Sequence, residues 1–306
     1  MAMRATRLIP LTALIVSAVS PLACHGGSSS SGIDASSISP QPGPPPSAPA
    51  HATPIPVASI EAYVNPSHLP AYDGPTGSIE GTIRVDGPAA PDKKGLEFGK
   101  CRDAAIIYGK LFREGSVAAA DGSRPLADAI VAITGYEGFY VPERNDAVKI
   151  TIDGCAVSAK TVAMTFGQRL DVASTANEIW APTLTQAPTP ALMVVNSHTD
   201  PVKLYPPHPG YFTLVDTTLA HSYASVDVYA LLQPLHAVSG LDGHYRIDGA
   251  PVGKMKVNAR LAAIGREASA DVEVAKGVVQ HVDLVLHYTA PSTVVFDGGP
   301  GDRWKK

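Results

Sequence analysis

With only three cysteines in 306 residues, the chain is no disulfide-dense small fold and has at most one intramolecular bridge. Charge is scarce at 17%, and 24 Lys and Arg against 28 Asp and Glu leave −4, which argues against a basic nucleic-acid binder. No apolar run reaches the roughly 18 residues that a membrane-spanning helix needs. Gly-x-Ser-x-Gly, a phosphate-binding glycine loop, His-Glu-x-x-His and Cys-x-x-Cys are all missing, so the common hydrolase, nucleotide, zinc-protease and dithiol signatures are absent. What is abundant is turn chemistry, with 27 Gly and 28 Pro, beside 45% apolar residues, enough to fill a core.

From residue 8 to residue 83 there is neither Lys nor Arg. Before that stretch stand Arg4 and Arg7; residues 8–19 are apolar, and Ser20-Pro21-Leu22-Ala23-Cys24 follows. This is the layout of a secretory signal peptide. Ala23 before Cys24 resembles a bacterial lipobox, which implies a diacylated Cys24 and attachment to the bilayer by acyl chains, at the outer membrane of a bacterial envelope. Pro21 departs from that motif, and plain export with an incidental cysteine is the alternative. Residues 25–76 run from Ser/Gly-rich to Pro-rich and are expected to form a disordered linker. Cys101 and Cys155 then remain as a pair that an oxidising envelope would bridge, closing a 54-residue separation worth about 4 kcal/mol in the chain-entropy picture. Two buried thiols that never meet are the other reading.

The rest reads as strands. Residues 78–85 and 148–152 alternate apolar with polar, and 129–134 is a β-branched run. Further strands are expected at 162–166, 170–172, 211–215, 226–232, 245–247, 255–259, 271–274 and 280–286. Asp153-Gly154, Asp242-Gly243, Asp248-Gly249 and Lys276-Gly277 are expected turns. Residues 102–112 form either one helix, with Ile107, Leu111 and Phe112 on a shared face, or a loop. Many short strands with frequent turns give an all-β fold of sandwich or barrel type, and residues 288–306 read as a flexible tail.

Ser239-Gly240-Leu241-Asp242-Gly243-His244-Tyr245, followed by Gly249-Ala250-Pro251-Val252-Gly253, resembles the carboxypeptidase regulatory-like domain. Gly77-Ser78-Ile79-Glu80-Gly81-Thr82-Ile83 and Pro125-Leu126-Ala127-Asp128-Ala129-Ile130-Val131 match its opening elements. The resemblance implies a prealbumin-like β-sandwich in two pieces, 77–136 and 237–287. The intervening 137–236 is similar to a cupredoxin-like module. The similarity lies in Asp153-Gly154-Cys155, in Gly167-Gln168-Arg169-Leu170-Asp171-Val172 and in Pro209-Gly210-Tyr211. In that alignment His221 alone keeps a copper-ligand identity. Thr218 stands at the thiolate position, Ala224 at the methionine position and Trp180 near the upstream histidine. A blue-copper site needs two imidazoles and a thiolate, so the resemblance implies a degenerate site and no cofactor.

Other chemistry is thinner. His198, His208, His221 and His236 fall within 39 residues without close ligand spacing. Glu143, Asp146, Asp153 and Asp171 are scattered carboxylates, more often solvated faces than a catalytic pair. Tyr136, Phe139 and Tyr140 are candidate ligand-binding aromatics for a sugar, or an edge cluster of the fold. The leading expectation is a non-enzymatic, lipid-anchored module that binds or scaffolds an envelope protein or polysaccharide. The alternatives are a carbohydrate-binding module and a copper-binding or electron-transfer protein.

Overall fold

The computed structural model describes residues 54–99, 101–188, 192–218 and 220–290. Cys24, the signal peptide and most of the tail lie outside them. In chain order the elements begin with helix α1 (Val57–Val64), β1 (Thr76–Asp86), helix α2 (Arg102–Tyr108), β2 (Arg124–Pro125), β3 (Ile130–Thr134) and β4 (Ala147–Asp153). Next come β5 (Ala156–Val157), β6 (Thr161–Thr165), β7 (Arg169–Ser174), β8 (Pro182–Leu184), β9 (Val202–Leu204), β10 (Gly210–Asp216) and β11 (Ser225–Leu231). The last are β12 (His236–Val238), β13 (His244–Pro251), β14 (Gly253–Leu261), β15 (Arg266–Val274), β16 (Val279–His281) and β17 (Leu284–His287). The fold is all-β in character. No helix among the described residues is long and apolar enough to cross a membrane.

Four sheets enclose two cores. β1 is central to the first, because its strict alternation buries Ile79, Ile83 and Val85 on one face. It pairs antiparallel with β13 and β2, and parallel with β16 and β17. The sheet β12-β3-β14-β15 adds Val131, Ile133, Val257 and Ala259 to the same core. The second core lies between β6-β11-β10-β8 and β5-β4-β7-β9, with Ile152, Met164, Leu170, Phe212 and Val228 inside it. Strands of the first core come from both ends of the described chain, and those of the second lie between them in sequence.

Backbone detail departs from expectation at four places. The run expected as one strand over 280–286 is two, because its pairing with β1 breaks opposite Gly81. A Cβ on Gly81 would collide with the Val282 carbonyl, and the Asp283 carboxylate accepts from Thr82 N at 2.7 Å where a strand bond would have stood. Asp248-Gly249 is a bulge inside β13 rather than a turn: Gly249 takes φ 77° and the β1 register slips between Gly77 and Ser78. Helix α2 ends at Tyr108, so Leu111 and Phe112 are not on its face. Ala104 and Tyr108 enter the second core, whereas Phe112 enters the first. Upstream, the expected linker carries ordered chain from α1 onward. There Tyr63 packs edge-on to Phe166 at 5.3 Å, and Tyr72 N donates to Tyr140 O at 2.8 Å.

Candidate functional site

Cys101 and Cys155 are bonded, with Cα atoms 5.8 Å apart. The bridge ties α2, whose first turn the Cys101 sulfur caps by accepting from Ala104 N, to the β4–β5 turn. Around it the second core is aromatic. Tyr223 OH donates to Cys155 O at 2.8 Å, and Tyr108 OH accepts from Val157 N at 3.2 Å. Burial pushes the Tyr108 phenol up to about 12.

Beyond Tyr223 the structure brings together Trp180, Thr218, His221 and Ala224, gathered about a residue that sequence reasoning passed over, Asp216. Its side chain is 1% exposed and accepts four hydrogen bonds. Oδ1 takes Ala181 N at 2.9 Å and Thr218 N at 3.1 Å; Oδ2 takes Thr218 Oγ1 and His221 Nδ1, both at 2.6 Å. Burial pushes Asp216 up, but the bonds from Thr218, Ala181 and His221 outweigh it and hold the carboxyl below its ordinary value. Since a carboxylate only accepts, the pairing places a proton on His221 Nδ1. The His221 ring lies flat on the Trp180 indole, with centroids 3.7 Å apart and planes within 2°. Trp180 is itself buried, and its Nε1 has no hydrogen-bond partner among the described residues. Ala224 closes the turn, its N–H donating to His221 O at 2.8 Å.

As a donor set this is one imidazole and one carboxylate. Thr218 and Ala224 offer a hydroxyl already given to Asp216 and a methyl group. Among the described residues no three His, Cys, Asp or Glu side chains converge on a point. Copper of the blue type does not fit these residues. The signal for Asp216 lay in strand phase: Phe212, Leu214 and Asp216 share the buried side of β10.

The other candidates sit apart. Phe139 is stacked by Tyr136 at 5.5 Å and contacted by Tyr72 at 4.5 Å, while the Tyr140 backbone pairs with Pro70 and Tyr72. The three aromatics line a groove of about 350 Å³ together with Tyr63 and Gln233. Glu143 and His236 meet through Thr165, whose hydroxyl donates to Glu143 at 2.6 Å and lies 3.3 Å from His236 Nε2. Burial lowers the His236 pKa. His198 and His208 are exposed, Asp153 accepts from Thr175, and Asp171 pairs with Arg169.

A recess that no motif announced lies between the outer faces of β10–β11 and β14, as two neighbouring hollows of about 710 and 640 Å³. Tyr229, Leu231, Arg260 and Ala262 belong to both. Its signal was again phase, because Tyr211, Asp227 and Tyr229 alternate with buried Phe212, Val226 and Val228.

No family model matches the chain, and no curated protein matches it.

Proposed function

We propose that this chain is a non-catalytic binding or scaffolding module of a bacterial envelope, anchored through an acylated Cys24 and reaching out on the segment before β1. In this reading the first core is the prealbumin-like sandwich of a carboxypeptidase regulatory-like domain. The second is a cupredoxin-like module that has lost its copper. One observation carries the reading: the four residues at the former ligand positions pack around Asp216 as a hydrogen-bonded, aromatic plug. The His221 nitrogen nearest the carboxylate is taken. The Cys101–Cys155 bridge supports an oxidising compartment. The Asp216–His221 pair resembles the orienting half of a hydrolytic triad. However, no Ser, Thr or Cys nucleophile among the described residues hydrogen-bonds to His221, and the Thr218 hydroxyl is turned to Asp216.

Expression in a lipoprotein-competent bacterium with labelled palmitate tests the anchor. Label is expected in the envelope fraction, with a soluble, unlabelled product from Cys24→Ala. Envelope retention of Cys24→Ala would refute lipid anchoring.

A further inference from the structure

The recess between the two cores is the place where the binding reading acquires a chemistry, and the ligand assigned to it rests on that reading. Its walls are sheet faces, not edges. β11 is hydrogen-bonded to β6 on one side and β10 on the other, and β14 to β3 and β15. The backbone groups of these strands are therefore spent, and a ligand must be held by side chains. That disfavours an extended peptide adding as a strand.

The side chains on offer are of two kinds. Tyr211 and Tyr229 lie 5.1 Å apart, and the Tyr211 hydroxyl is fixed by its bond to Asp227 at 2.7 Å. Such rings present flat faces for the C–H surface of a sugar. Beside them stand three cations. Arg260 and Lys93 form no ion pair among the described residues, and Arg260 belongs to both hollows. The third, Lys160, is buried, its Nζ donating to the carbonyls of Lys110 at 2.8 Å and Leu111 at 3.2 Å. Against these the nearer hollow sets only Asp227, already engaged by Tyr211. The further hollow is lined by small and neutral groups, among them Ala132, Asn258 and Ser269, with Glu267 as its one carboxylate.

We infer that this recess binds an extended oligosaccharide bearing carboxylates, its rings on Tyr211 and Tyr229 and an acid group at Arg260 and Lys93. The extent favours several sugar units over one, since the two hollows share Tyr229, Leu231, Arg260 and Ala262 in their lining. The charge asymmetry places the anionic residue toward the Lys93 end.

The test uses the full-length chain in detergent, titrated calorimetrically with tetragalacturonate, its methyl ester and cellotetraose. Tetragalacturonate is expected to bind, with affinity weakened about tenfold or more by methyl esterification, by Arg260→Gln and by Tyr211→Ala. Both substituted side chains are exposed, so the fold is expected to survive. Rising salt should weaken the acid form alone. Equal affinity for acid and ester, indifference to both substitutions, or no binding of any of the three would overturn the inference. The same samples are analysed for shortened products. Shortened tetragalacturonate would refute the non-catalytic reading, whereas an intact but unbound sugar refutes only the ligand class.

Discussion

Asp216 offers the sharpest single perturbation. Replacing it by Ala removes the acceptor of four hydrogen bonds, and one of them comes from Ala181 N, which is fully buried. A buried donor stripped of its partner costs about 1–3 kcal/mol. The His221 and Thr218 bonds go to a charged acceptor, and bonds of this kind are worth about 1.5–3 kcal/mol each. Because the four bonds share one carboxylate they do not add, and Asp216→Ala is expected to lose about 4 kcal/mol. Asp216→Asn keeps an oxygen for the two backbone donors but turns an amide N–H2 toward His221 or Thr218, so about half that loss is expected. The sign with pH is determined. The folded carboxyl sits below its unfolded value, so its contribution is present above about pH 4 and is lost as pH falls through the depressed folded value. Urea unfolding followed by Trp180 fluorescence, in a Trp304→Phe background that leaves one tryptophan, reads this directly. A loss below about 1 kcal/mol for Asp216→Ala, or a wild-type advantage unchanged well below pH 4, would refute the reasoning.

The same core yields three further expectations. Cys101→Ser with Cys155→Ser should cost about 4 kcal/mol for the 54-residue separation, measured by urea unfolding with and without reductant; equal stability of the oxidised and reduced forms would contradict it. Burial and the nearby Lys93 lower Lys160 to about 8. The unfolded chain therefore holds that proton more tightly, and stability should climb by up to about 3 kcal/mol between pH 8 and 10.5 until the tyrosines begin to oppose it, a climb absent from Lys160→Met. Trp180→Phe keeps an aromatic face for His221 while removing an unpartnered N–H, so its melting temperature should equal or exceed that of the parent; Trp180→Ala should lose about 3–5 kcal/mol.

Strands whose burial alternates were legible where solvent on one face and core on the other write period two into the residues, as in β1, whereas β3 was legible only as a β-branched run. The three-residue strands β8, β9 and β12 carry no period of their own and exist through their partners β10, β7 and β3. The break between β16 and β17 depends on Gly81, some 200 residues away, and no local pattern records it. Apolar spacing over 102–112 implied one face, yet Tyr108 and Phe112 serve different cores. At the site, Trp180, Thr218, His221 and Ala224 were named through a family pattern. Asp216, which joins Thr218 and His221, carries no motif and shows only as an acid in a buried phase. The recess at Tyr229 and Arg260 escaped for another reason, since it is made by two sheets far apart in sequence.

We propose that the constellation around His221 does not hold copper. Loading the purified full-length chain with Cu(II) and Cu(I), desalting it, and measuring bound metal with the visible spectrum tests this most directly. Substoichiometric copper, no intense thiolate absorption and no change on His221→Ala are expected. One copper per chain, lost on His221→Ala, would contradict the account.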